Sequence, residues 1–196
     1  MDAFKISVKL FVSHDTFGHA EFVPVFHRWI QEHVLEDHLL IDVADYAHVP
    51  NGPGTLLVTH EANIYMDRTG GRLGLMYQRK LPLAGSFGDR LRSVVASTLK
   101  VAAKLQEEPN MQGRLTFRTG ELSIRIHDRL LAPNTPATQH AVRGDVQSLA
   151  DTLYGKGAAT IEFPNDPQGL FEVRVKAPTT SSNVAELLAK VSLVGV

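Results

Sequence analysis

The chain has 196 residues, 43% of them hydrophobic and 21% charged, enough to close a core without cross-links. Its 20 basic and 21 acidic side chains leave a formal net charge of -1, without the basic footprint of a nucleic-acid binder. There is no cysteine, which excludes disulfides, thiolate metal sites, iron–sulfur clusters and a cysteine nucleophile.

The start, Met1-Asp2-Ala3-Phe4-Lys5, lacks the pattern of a signal peptide. No apolar run approaches the ~20 residues of a membrane helix. The expected setting is cytoplasmic, with neither membrane nor nucleic acid as a partner.

In chain order, Ile6, Val8 and Leu10 alternate with Lys5, Ser7 and Lys9 and predict a half-buried strand over 4–12. Phe22, Val23, Phe26, Trp29, Ile30 and Val34 predict an amphipathic helix over 21–36, with Pro24 in its first turn. Leu39 to Ala44 reads as a short, largely buried strand. The turn-rich segment from Asp45 to Gly54 follows. Residues 55–66 read as one strand with Leu56, Val58, His60, Ala62, Ile64 and Met66 on one face. It turns at Asp67–Gly71 into a second strand over 72–80.

Ser86, with Asp89 three residues on, caps a long helix that ends near Glu107-Glu108-Pro109. The basic residues Arg90, Arg92, Lys100 and Lys104 are expected on its solvated face. Strands over 114–118 and 121–130 read as a hairpin around Thr119-Gly120. A helix over 137–154, closed by Gly155, comes next. Strands over 158–163 and 170–176 flank a turn at Pro164–Pro167. A last helix over 183–193 is capped within Ser181-Ser182-Asn183.

Self-similarity runs through this order. Ala132-Pro133-Asn134-Thr135 and Ala177-Pro178-Thr179-Thr180 each join a strand to a helix. Ile6–Leu10, Leu122–Ile126 and Phe171–Val175 share the pattern apolar, polar, apolar, basic, apolar. The expected class is α+β: antiparallel sheet with helices on one face, built from repeated ββα or split βαβ (ferredoxin-like) units. One domain spans 1–196, with pseudo-repeat halves of about 1–118 and 119–196. The other sheet face carries Lys, Arg, Glu and Ser, and is either solvated or a subunit contact.

Seven of nine histidines fall in the first 60 residues, among Asp45, Tyr46 and Glu61. Imidazole and carboxylate are the usual metal ligands without cysteine, and the usual general acids and bases. His27 and His60 sit within apolar arcs and would meet if both faced inward. Asp45, His48, His60 and Glu61 would meet if their loop folds back on the following strand. The ligand-binding candidates are therefore His27, Asp45, Tyr46, His48, His60 and Glu61, with His14, His19, His48 and His60 as weaker metal candidates. None of these spacings is a recognised ligand set, so solvated loop histidines plus one or two satisfied core histidines are the simpler reading. The loop His48–Gly54 is either an anion cradle or a fixed turn; it precedes a strand, which favours the turn.

No His-Glu-x-x-His, Gly-x-Ser-x-Gly, P-loop or dinucleotide fingerprint is present, and no cofactor is assignable. The favoured function is binding of a small molecule or ion at a His/Asp-lined site in the N-terminal third, with catalysis left open. The alternative is a non-catalytic scaffold or homo-oligomeric interaction module.

Overall fold

The computed structural model describes residues 1–49, 52–166, 168–178 and 182–193. Parts of three expected features lie outside them: Pro50 and Asn51 of the 48–54 loop, Pro167 of the 164–167 turn, and Thr179–Ser181 before the last helix.

The fold is α+β, with eight strands in one antiparallel sheet and four α-helices. The elements run β1 (Ile6–Val12), α1 (Phe22–Glu32), β2 (Leu40–Asp45), β3 (Thr55–Thr59), β4 (Ala62–Asp67), β5 (Gly74–Arg79), α2 (Phe87–Glu107), β6 (Phe117–Ile126), α3 (Pro136–Tyr154), β7 (Thr160–Glu162), β8 (Phe171–Lys176) and α4 (Val184–Ser192). The strand order is β2-β3-β4-β5-β1-β6-β8-β7. Among the described residues, no helix is long and apolar enough to cross a membrane.

Register explains the core. Leu57, Ile64, Tyr77, Val8, Ile124 and Val173 lie in one row across six strands. They join a single apolar cluster with Leu91, Val95 and Leu99 of α2, Trp29 of α1, Leu149 of α3 and Leu187 of α4. Phe11 and Leu56 are buried but stand outside this cluster, because the period of two puts them on the opposite face.

Local chemistry sets the helix ends. Ser86 and Asp89 bond each other's backbone N–H groups as the spacing predicts. Thr135 caps α3, which ends at Gly155 with φ 95°. Asn183 caps α4 by accepting from the Glu186 N–H. Helix α1 stops earlier than predicted, at Glu32, because His33 adopts a left-handed conformation.

Several expectations are corrected. Residues 55–66 are a hairpin: the Thr59 hydroxyl donates to the Ala62 carbonyl and accepts its N–H, turning the chain at His60-Glu61. Residues 114–130 hold one continuous strand, β6; Gly120 stays in the ladder by accepting the Ala177 N–H. β6 therefore crosses 118–119 without a break. β2 is an exposed edge strand, with Ile41 55% exposed. It is bulged at that residue, and Asp42 bonds the Val43 N–H, which blunts the edge against further pairing. Arg90 is buried, donating to the Ala3 carbonyl and to Asp2.

One polar clamp ties α1 to the end of α2. Glu108, 6% exposed, accepts from the Trp29 indole N–H at 2.5 Å and from Arg28. Replacing it with alanine leaves a buried N–H unpaired. Glu108→Ala is expected to cost about 1–3 kcal/mol. Urea unfolding followed by fluorescence of Trp29, the single tryptophan, measures the loss; an unchanged midpoint would contradict the assignment.

Candidate functional site

The sheet face opposite the core carries a polar cleft. Its floor comes from three central strands. Lys9 of β1 pairs with Ser123 of β6, and Ser123 with Arg174 of β8. In the next row Ser7 pairs with Arg125, and Arg125 with Glu172. These are the polar and basic positions of the three strands that share one sequence pattern.

Lys9 is 3% exposed. Its chain crosses Gly74 of β5, where a Cβ would lie 2.7 Å from Lys9 Cε and 2.8 Å from the Leu10 carbonyl. The missing side chain lets Nζ reach Asp67 of β4 at 2.9 Å and the Thr69 carbonyl at 3.1 Å. Asp67 is fully buried; its Oδ1 also accepts the Thr69 N–H, and its Oδ2 has no partner among the described residues. Burial pulls the Lys9 pKa below the ordinary lysine value, with help from Arg125 and Arg72 and against the pull of Asp67.

Glu172 organises the other side. It accepts from Arg174 Nε at 2.7 Å, Arg125 Nε at 3.0 Å and Ser123 Oγ at 3.1 Å. Burial pushes its pKa up, but Arg174 and Arg125 outweigh this and hold it below the usual carboxylate range. At the rim, Arg72 grips Glu121 with two bonds and lies 3.8 Å over the Phe11 ring.

Between Lys9, Arg72, Arg125 and Arg174 is a cavity of about 120 Å³. A second, of about 250 Å³, continues from it under Pro164, Asp166 and Gly169; the two share Thr69, Arg125 and Glu172.

Beside the cleft runs a directional relay. Asn63 donates to the Tyr65 hydroxyl, Tyr65 to Gln78 Oε1, Gln78 Nε2 to His127 Nδ1, and His127 Nε2 to Ser7 Oγ at 2.8 Å. The tautomer follows from the network, since an accepting Nδ1 in neutral imidazole leaves the proton on Nε2. Ser7 thus accepts from His127 and passes no proton to it. The pair is not an activated serine nucleophile.

The sequence-predicted residues are dispersed. His27 lies on the exposed side of α1, away from the buried Phe22, Val25, Phe26 and Trp29. His60 is exposed in the β3–β4 turn, and Glu61 beside it accepts the Leu39 N–H. Asp45 ends β2 and accepts the Ala47 N–H. Five residues of strand, about 17 Å, separate that end of β3 from the His60 turn. The four residues expected to meet there do not, because the hairpin puts them at opposite ends.

Tyr46 and His48 do come together, with stacked rings 6.4 Å apart. Tyr46 also lines a cavity of about 320 Å³ with His19 and Arg68, and the buried His19 Nδ1 has no partner among the described residues. His14 is exposed in its loop. Among the described residues, no three His, Asp or Glu side chains form a group able to hold a metal. The histidines bonded into the fold are His38, whose side chain is buried against the Tyr77 hydroxyl at 2.7 Å, and the half-buried His127.

No protein-family model matches the chain, and no curated protein aligns with it significantly.

Two outcomes follow. Gly74→Ala pushes a methyl into the Lys9 stem and the β1 backbone, and is expected to destabilise the fold by about 1–3 kcal/mol. An unfolding midpoint equal to the parent's would show that Lys9 does not need that gap. His127 is pushed down to about 4, first by burial and then by Arg125 and Lys5. The unfolded chain, with an imidazole near 6.5, takes up its proton first. This contribution to stability is therefore complete above pH 6.5, falls as the pH drops from 6.5 to about 4, and is level below. An NMR titration of the imidazole protons checks it; titration near 6.5 would be inconsistent with the relay.

Proposed function

We propose that the protein binds a small anion, through a carboxylate or phosphate group, in the open-face cleft at Arg125 and Arg174. One observation carries this reading. Glu172 takes the Nε donor of both arginines, and their terminal nitrogens have no hydrogen-bond partner among the described residues. Guanidinium groups held this way are pre-organised for the paired donation that planar anions accept. Around the 120 Å³ cavity and its rim stand four cations, Lys9, Arg72, Arg125 and Arg174, against three carboxylates, Asp67, Glu121 and Glu172. A solvated face of ion pairs does not require Lys9 and Ser123 at 3% exposure; a cleft does.

The same reading accounts for the repeat. We infer two βαββα-type halves, with β2–β3 inserted in the first. In support, Val8 faces Ile124 at the centre of the β1–β6 seam, with Ile6 facing Ile126 and Leu10 facing Leu122. A half-turn about that point exchanges the matching segments and makes Lys9 and Arg125 equivalent. Duplication then supplies basic residues to both sides of one cleft.

A second reading keeps a ligand near Tyr46 and His48, favoured by the 320 Å³ cavity with Arg68 and a buried His19 Nδ1 that has no partner among the described residues. The oligomeric scaffold reading draws less support, because the β2 edge is bulged and capped by Asp42.

Calorimetric titration with inorganic phosphate and with lactate tests these readings. R125Q/R174Q is expected to weaken binding about tenfold or more, since charge-assisted bonds contribute about 1.5–3 kcal/mol each. Arg68→Gln is expected to leave it unchanged. Trp29 fluorescence verifies that each variant is folded. Equal affinity in R125Q/R174Q and the parent would refute the cleft, and loss in Arg68→Gln alone would favour the second cavity.

A further inference from the structure

We propose that Lys9 is a nucleophilic amine that forms an imine with a small 2-oxo acid, whose carboxylate sits on Arg125 and Arg174. The proposal rests on the anion reading above and adds a covalent step to it.

The cavity has two unlike sides. Lys9, Thr69, Gly70 and Arg72 line one, and Ser123, Arg125, Glu172 and Arg174 the other. A ligand bridging them carries an anion at one end and, at the other, a group that answers an amine. A volume of about 120 Å³ equals about four waters at roughly 30 Å³ each, which is room for an acid of three or four carbons at this end of the cleft.

A lysine serving only as a counter-charge needs no burial. Lys9 is buried, and desolvation together with Arg125 and Arg72 favours its neutral form. Its position is fixed at both ends, by the gap over Gly74 and by Asp67 and Thr69. Asp67 offers beside the amine a buried Oδ2 that has no partner among the described residues.

The step balances without an oxidant. The Lys9 ammonium passes a proton to Asp67, and neutral Nζ attacks the carbonyl carbon. The C–N bond forms, the carbonyl π electrons move to oxygen, and that oxygen takes a proton from nitrogen to give a carbinolamine. Asp67 then returns its proton to the hydroxyl, which leaves as water while the nitrogen lone pair closes the C=N bond. Ammonium plus 2-oxo acid becomes protonated imine plus water. One positive charge stands at Nζ before and after, so the Asp67 carboxylate stabilises both ends of the step.

Pyruvate with sodium borohydride tests the proposal on the full chain, read by peptide mass spectrometry. The expected result is one reductively coupled pyruvate at Lys9, at least about tenfold above exposed Lys5 in the same chain, and suppressed by excess lactate. R125Q/R174Q, verified as folded by Trp29 fluorescence, is expected to lose the Lys9 label while keeping the Lys5 background. The label is read at Lys9 itself, so the test needs no substitution of that buried residue. Lactate binding without a Lys9 adduct overturns the imine and leaves the anion reading in place. Neither lactate nor phosphate binding, with no adduct, overturns both. A Lys9 adduct that R125Q/R174Q forms equally well overturns the carboxylate assignment.

Discussion

An ammonium taken out of water inside a sheet has to be met by an opposite charge and by room for its stem, and in this fold both come from strands distant in sequence. Lys9 lies on the central strand, whose two faces are both buried. Asp67 supplies the charge from two strands away, and Gly74, on the strand between, supplies the room. An uncompensated buried charge costs several kcal/mol, so this triad constrains the registers of β1, β5 and β4 together. The open face is built outward from it.

Beside that triad, the charges on β6 and β8 form a separate, looser lattice. Glu172 holds two arginines and a serine, and the arginines keep donors to spare. The contrast is physical. On one side an amine is enclosed and held through two of its three donors by Asp67 and Thr69; on the other, guanidinium groups are oriented by their Nε, and their terminal nitrogens have no partner among the described residues. The His127 relay borders both and is neutral at pH 7, so its part is to fix Ser7 and Gln78 rather than to move protons.

How much of this was legible in the sequence varies by element. The capping box of Ser86 and Asp89, the Gly155 terminus of α3 and the alternation in β8 are local, and a few neighbouring residues decide them; β1 is a strand as its alternation predicts, but it is buried on both faces rather than half-buried, because Ser7 and Lys9 are covered as well. The 55–66 segment reads as one strand because Leu56, Leu57 and Val58 are apolar in succession, so an alternation can be drawn straight through His60-Glu61; the hairpin instead pairs Leu57 with Ile64 and shifts the core face from odd to even positions, leaving Leu56 and Val58 on the other face. Thr119-Gly120 misled in the opposite sense: a turn-forming pair was held straight by the ladder to Ala177. The histidine concentration points to the N-terminal third, yet the rings bonded into the fold are His38, which is not among the candidates there, and His127, far along the chain.

By itself, the sequence determined the α+β class, most helix boundaries, and the recurrence of a basic residue at one position in three strands. Those properties depend on period, propensity and capping, which act over a few residues. Only the tertiary structure decided that Lys9, Arg125 and Arg174 border one cleft, that β2 is an edge, and that Gly74 leaves room for a lysine from the next strand. Strand order and register are set by packing between segments far apart in sequence, as where Ile6 pairs with Ile126, and no local pattern encodes which neighbour a strand will take.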